Sequence, residues 1–187
     1  MSDDAVKWNE RYRLNAEPSD QQPREFLLEQ AQHLPARGLA LDAAMGLGAN
    51  AGFLIARGLD VIGVDVSEVA ARQAKARYPS LMAAVIDLDR FRWPDQTFDV
   101  ILNFYFLLRP LCRQYRHLLR PGGVLIFESL LKETVIYRPG FNPDYLLAPG
   151  ELRELCAGLE ILVYREGWIS RAGHHPRAVA SLVARRS

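Results

Sequence analysis

The sequence predicts an α/β protein with a doubly wound, mostly parallel seven-stranded sheet that ends in an antiparallel hairpin. Three observations predict it. Strand-like runs that are apolar throughout, such as DVIGVDV (60–66) and VLIFESL (124–130), alternate with helical segments, as in a parallel sheet covered on both faces. The first run, LALDAA (39–44), stops beside an aspartate and breaks into the glycines of MGLGAN, the form of a strand that turns tightly beneath a ligand. The last two runs, LEILVYREGW (159–168) and AVASLVARR (178–186), are separated only by ISRAGHHPR, too short for a helical crossover, so they should pair antiparallel.

Each element follows in order. The opening segment through Leu34 reads as a helical cap over residues 1–37, with Phe26, Leu27, Leu28 and Ala31 at helical spacing. After the first strand and its glycine turn, NAGFLIARG is a short helix closed by Gly58. The second strand ends at Asp65, and Ser67 caps EVAARQAKARY. LMAAVIDL and FDVILNFYF are the third and fourth strands. RPLCRQYRHLLR is a helix broken by PGG, ahead of the fifth strand VLIFESL. Residues 131–149, with Pro139, Pro143 and Pro149, form a long irregular stretch that reads as a lid. ELRELCAG is a last short helix. No repeat or low-complexity tract divides the 187 residues, so one domain over 1–187 is expected.

Composition narrows the function. Lys+Arg (23) and Asp+Glu (22) nearly cancel to +1, so no overall field points to nucleic acid or an anionic membrane. Arg109, Arg113, Arg116 and Arg120 read first as a solvated helix face. Cys112 and Cys156 belong to no ligand-spaced cluster, which argues against a disulfide framework and a zinc site, and no metal is expected. The start, MSDDAVKWNE, is acidic and polar rather than a signal peptide, and no run is long enough to cross a bilayer; a cytoplasmic location is expected.

Three ligands compete for the glycine turn. A phosphate loop would need a lysine after the glycines, and none follows Gly46 or Gly48. GLGANA matches a dinucleotide fingerprint with alanine in its third glycine position, which is a weak signal. The acid closing strand two is more informative: a carboxylate is acceptor-only and can take both ribose hydroxyl protons, so Asp65 is the expected ribose ligand. Asp42, at the inner end of strand one, needs a partner if buried, and an ammonium group would serve. That asks for a nucleoside carrying an amino acid portion.

ALDAAMGLGANAGFLIARGLDVIGVDVSEVAARQAKAR (40–77) resembles the first two motifs of class I S-adenosylmethionine-dependent methyltransferases. AAVIDLDRFRWPDQTFDVILNFYFLLRP (83–110) resembles the third and fourth, and LLRPGGVLIFES (118–129) the strand-five signature. The resemblance implies a Rossmann-like fold, S-adenosylmethionine as cofactor, S-adenosylhomocysteine as product and a small-molecule methyl acceptor. VKWNERY, YLLAPGEL and ILVYREG are similar to small bacterial enzymes related to the tellurite-resistance type. Where the family has its first motif glycine, this chain has Ala44, a methyl group that the turn would have to absorb.

The same resemblance implies roles. Asp42, Ala44, Gly46 and Gly48 would line the methionine and ribose side, Asp65 would bind the ribose, and Val66 would lie near the adenine. Asp87 would accept from the adenine amine and the backbone N–H of Leu88 would reach a ring nitrogen. Asn103 would open the methyl-transfer pocket beside the cofactor, with Tyr105 and Arg109 next to it; Arg109 or Arg138 could hold an anionic acceptor with the planar guanidinium fork, or simply pair with an acid. Arg11 and Tyr12 would fold over the methionine carboxylate, although Trp8 and Tyr12 could equally be an ordinary helix pair. No side chain stands out as a base: His174 and His175 read as an exposed turn and His117 as surface. Two other readings stay open. A nicotinamide-dependent oxidoreductase shares the glycine turn but explains neither Asp87 nor the closing hairpin. A non-catalytic cofactor-binding module would account for Ala44 and the missing base.

Overall fold

In the computed structural model of the chain, residues 3–14, 22–137, 139–170 and 175–187 are described. Seven strands form one sheet: β1 (Leu39–Ala43), β2 (Asp60–Asp65), β3 (Met82–Val85), β4 (Phe98–Phe104), β5 (Leu119–Leu130), β6 (Glu160–Ile169) and β7 (Arg177–Arg185). Their order is β3-β2-β1-β4-β5-β7-β6. The first five run parallel, and β7 pairs antiparallel with both β5 and β6, as the short final connection requires. This is the Rossmann-like arrangement expected, and its strand order reverses between β1 and β4, where open α/β sheets place their ligands.

The helices are α1 (Asp3–Leu14), α2 (Glu25–Glu29), α3 (Ala49–Ala56), α4 (Glu68–Arg77), α5 (Arg109–Leu118) and α6 (Glu151–Leu155). Two apolar layers flank the sheet. Leu41, Ile101, Leu125 and Phe127 meet Leu111, Tyr115 and Leu152 from α5 and α6. On the other face Ala40, Val100 and Leu102 meet Phe26, Ala51, Leu54 and Ala74 from α2, α3 and α4. Burial on both faces explains why these strands read as unbroken apolar runs. Ser67 caps α4 by accepting from the Ala70 N–H, and Gly58, at φ 92°, closes α3 through its bond to Ile55.

One boundary differs from the expectation. PGG (121–123) does not precede the fifth strand but lies within it: β5 begins at Leu119, and its pairing with β4 slips between Phe98 and Val100, so the proline and glycines occupy a bulge. Among the described residues of the opening segment are α1, α2 and a 3-10 turn (Ala31–His33).

Candidate functional site

The glycine turn is locked onto the end of β2. The Gly46 N–H donates to Asp65 Oδ2 at 2.9 Å and the Ser67 N–H to Oδ1 at 2.8 Å, while the Met45 N–H reaches the Val64 carbonyl. Gly46 (φ 54°) and Gly48 (φ 74°) adopt the left-handed conformation, and so does Ala44 (φ 55°). The methyl group that marks this chain's departure from the motif therefore sits on strained backbone. Burial raises the pKa of Asp65, against the opposing pull of the Ser67 and Gly46 amides. The Val66 amide adds to that pull.

Asp42 pairs in register with Gly63, two residues before Asp65, so both carboxylates project from the same face of the sheet. Asp42 is 1% exposed, and its Oδ2 has no hydrogen-bond partner among the described residues. Desolvation raises its pKa to about 7; the Ala51 amide and Arg24 oppose the rise and the charge of Asp65 adds to it.

Helix α1 is held against this edge by one side chain that the sequence did not single out. Asn9 Oδ1 accepts from Ser67 Oγ at 2.8 Å and from the Val69 N–H at 3.1 Å, tying the segment to the start of α4. Tyr12 then lies over the turn: a Cβ added to Gly46 would stand 2.7 Å from its hydroxyl. Trp8 stacks on Tyr12, and the Arg11 guanidinium lies over the Trp8 ring. Arg24 was also missed. Its N–H donates to Asn50 Oδ1 at the start of α3, its charge is felt by Asp42, and its guanidinium lies 4.9 Å from the centre of the Tyr105 ring. Asn9 lies within the VKWNERY segment, whose aromatic and basic residues drew the attention instead, and Arg24 carries no local motif.

At the end of β3 the Ile86 N–H bonds the Asp65 carbonyl, which sets the following residues beside the β2 end. Asp87 is half-buried, accepts the Asp89 N–H and faces Arg90 at 3.6 Å. Val66 is half-buried, and the Leu88 side chain packs into the core on the α5 side.

Asn103 is fully buried on the sheet face away from Asp42, where its Nδ2 donates to Tyr115 Oη at 2.9 Å and its Oδ1 has no hydrogen-bond partner among the described residues. The reason is pleating. Asn103 pairs with Ala43, one residue out of phase with Asp42, and so points to the opposite face. Arg109 holds structure instead of an open acceptor site. Its guanidinium bonds both oxygens of Glu151 (2.5 and 3.2 Å) and the carbonyls of Asp144 and Leu146. Glu151 is correspondingly shifted down, chiefly by that hydrogen bond. The stretch expected to be a lid is thus tied to α5, and the Lys132–Leu147 and Leu147–Leu130 backbone bonds tie it to the sheet.

Tyr105 is placed differently. It carries φ 58°, rare for an aromatic residue, and donates to Glu128 Oε1 at 2.7 Å, while Ser181 Oγ donates to Oε2 at 2.7 Å. Burial and the Glu128 charge push the Tyr105 pKa well above its usual range. Arg177 approaches the same ring at 5.9 Å. Tyr105, Glu128, Arg24 and Arg177 line a cavity of about 380 Å³ shared with Phe26, Trp168 and Ile169. Glu128 was legible only as one acid inside the apolar run VLIFESL, a position that burial makes costly without purpose-built partners. His175 is exposed and lines this cavity; His117 is on the surface, and His174 and Arg138 lie outside the described residues. Among the described residues no group of His, Cys, Asp and Glu could hold a metal, and no helix is long and apolar enough to cross a membrane.

The comparisons agree with this geometry. Residues 40–123 match a family model described as a methyltransferase domain. A Mycolicibacterium smegmatis protein named "Probable S-adenosylmethionine-dependent methyltransferase" is 30% identical over 139 residues, 71% of this chain and 52% of its own length. A Mycobacterium tuberculosis protein of the same description is 31% identical over 119 residues, 63% of this chain and 43% of its own. The chain therefore spans about half the length of these curated relatives. Among solved structures, TehB from Haemophilus influenzae superposes with a TM-score of 0.74 at 17% identity, covering 98% of this chain and 67% of that one. A TehB-like S-adenosylmethionine-dependent methyltransferase from Corynebacterium glutamicum gives 0.65 at 21%, covering 98% and 96%. At such identities the structures speak for the fold alone. With the motifs at 40–123, the sheet order and the acids at the strand ends all in agreement, the chain carries a methyltransferase domain in the Rossmann-like fold of the class I S-adenosylmethionine-dependent methyltransferases.

Proposed function

We propose that the chain binds S-adenosylmethionine across the carboxyl edge of β1, β2 and β3 and transfers its methyl group to a small-molecule acceptor, releasing S-adenosylhomocysteine. The observation that carries this reading is the unpartnered, buried Oδ2 of Asp42 on the same sheet face as Asp65. A cofactor with an ammonium group and a ribose supplies what both acids lack, so the residues fit the group. Asp65 takes the ribose hydroxyls. Gly46 and Gly48 let the backbone approach, and Ala44 shapes the turn between Asp42 and Gly46. Tyr12 closes over Gly46, and Arg11 and Arg24 set positive charge on the side of the methionine carboxylate. Val66, Asp87 and the Leu88 amide frame the adenine.

The cofactor supplies a methyl group already activated on a sulfonium. The protein's task is then to align acceptor and methyl carbon and to exclude water. The cavity beside Tyr105 has the volume of a small-ligand site, and the near-neutral chain offers no broad basic surface for nucleic acid. A second reading of the acceptor, an oxyanion of the kind handled in tellurite resistance, is favoured by Arg24 and Arg177 beside that cavity.

Titration calorimetry with S-adenosylhomocysteine tests the proposal. Wild type should bind, and Asp65→Ala should lose binding while keeping its circular dichroism. A folded wild type that ignores this ligand would end the reading, and one that binds NADH instead would favour an oxidoreductase.

A further inference from the structure

We propose that Glu128 and Tyr105 form a proton-accepting wall of the acceptor site, and that the acceptor is a small neutral molecule whose nucleophile is a hydroxyl or amine on a flat apolar body. This rests on the methyl-transfer reading above and narrows it. Glu128 is 4% exposed on an otherwise apolar strand, and two hydroxyls from separate segments, Tyr105 and Ser181, are brought to its two oxygens. Tyr105 reaches it only through a left-handed backbone that an aromatic residue adopts at a cost, an arrangement that clusters at functional sites. The Tyr105 N–H also bonds the Glu128 carbonyl, so the pair is fixed at two points. Both residues line the cavity.

The cavity adjoins the cofactor edge through Arg24, which lies on the Tyr105 ring, is sensed by Asp42 and anchors its amide on Asn50. Trp168 and Ile169 form the opposite rim, both substantially exposed, and Tyr137 meets Trp168 edge-on at 5.4 Å. A flat apolar body fits that ledge. Arg24, Arg165 and Arg177 also line the cavity, but Arg24 and Arg177 lie against the Tyr105 ring and Arg165 pairs with Glu29, so at the Tyr105 hydroxyl an anion would meet Glu128, whereas a neutral hydroxyl or amine can donate to Tyr105 Oη.

The step balances within the site. As the nucleophile's lone pair forms its bond to the methyl carbon, the carbon–sulfur bond breaks and its electron pair stays on sulfur. The nucleophile's proton passes to Tyr105 Oη while the Tyr105 proton passes to Glu128 Oε1. The products are the methylated acceptor, S-adenosylhomocysteine and a protonated Glu128 that water later discharges.

The test uses the full chain, with S-adenosylhomocysteine binding measured first; its absence would overturn the cofactor reading and this one with it. Phenol, aniline, benzoate, thiophenolate and tellurite are then titrated against the loaded protein by ligand-observed NMR, and offered with S-adenosylmethionine for methyl transfer. Phenol and aniline should bind at least about tenfold better than benzoate or tellurite, as expected where a buried acid meets an anion. Glu128→Gln, close in shape, should slow phenol and aniline turnover by about a hundredfold, the scale of a lost general base, with S-adenosylhomocysteine affinity unchanged. Thiophenolate, already ionised, should be methylated at nearly the wild-type rate. Tyr105→Phe, which keeps the ring between the arginines, should show the same split if Glu128→Gln fails to fold. Tighter binding of benzoate or tellurite than phenol, equal losses for thiophenolate and phenol, or no probe bound at all would each overturn the proposal.

Discussion

Asp42→Asn replaces a buried carboxyl by a neutral group of the same shape, and its effect follows from the proton count. The folded pKa of about 7 stands about three units above the ordinary 3.8, and each unit corresponds to about 1.4 kcal/mol. For a group raised in the folded state, the stabilisation is complete below the unfolded pKa and is lost as pH rises through the folded one. Ligand-free wild type should therefore lose up to about 4 kcal/mol between pH 4 and pH 8 through this residue alone. The asparagine variant should be free of that loss: its advantage should grow from near zero at pH 4 to as much as about 4 kcal/mol at pH 8, or roughly 10 °C in melting temperature. Urea unfolding at intervals of pH, with no ligand present, measures the difference directly. The opposite should hold for binding, because the variant cannot neutralise an ammonium group and should bind S-adenosylhomocysteine more weakly at every pH. Parallel stability curves for the two proteins from pH 4 to pH 8 would refute the reasoning.

Ala44→Gly should raise stability by about 1 kcal/mol in chemical denaturation, since it relieves a left-handed alanine. Gly46→Ala should leave the fold intact but displace Tyr12 and weaken S-adenosylhomocysteine binding by at least about tenfold, as calorimetry would show. Asn9→Ala removes two bonds to the start of α4 and should cost about 2 kcal/mol, with hydrogen exchange rising first in α1. Arg109→Lys should not rescue Arg109→Ala, because one ammonium cannot replace a fork shared among Glu151, Asp144 and Leu146; limited proteolysis near Tyr145 should report both.

The fold was legible because its information is local. Apolar runs buried on two faces, Ser67 before α4, Gly58 after α3 and the short connection between β6 and β7 each declare themselves within a few residues. The cofactor edge was partly legible for the same reason: Asp42, Gly46 and Asp65 lie within or just after the strands that position them. The acceptor side was not. The face that Asn103 takes depends on register rather than sequence position, and register sets its amide against Tyr115. Arg109 was legible as a fork for an anionic acceptor or for an acid, and only the approach of residues 144–151 in space gives it Glu151. Arg24, Glu128 and Ser181 meet around Tyr105 from three distant parts of the chain, a convergence that no window of residues displays.

The anchoring of residues 144–151 bears on how molecules reach the interior. Leu146 and Leu147 are fully buried, and the guanidinium of Arg109 rivets the carbonyls around them. That span is fastened to α5 as well as to the sheet. Under the proposed function, acceptor and product would pass on the side framed by α2 and the adjoining ends of β6 and β7, where Trp168 and His175 line the cavity. On the same reading the nucleoside would exchange on the α1 side, where Asn9 ties the helix to the start of α4.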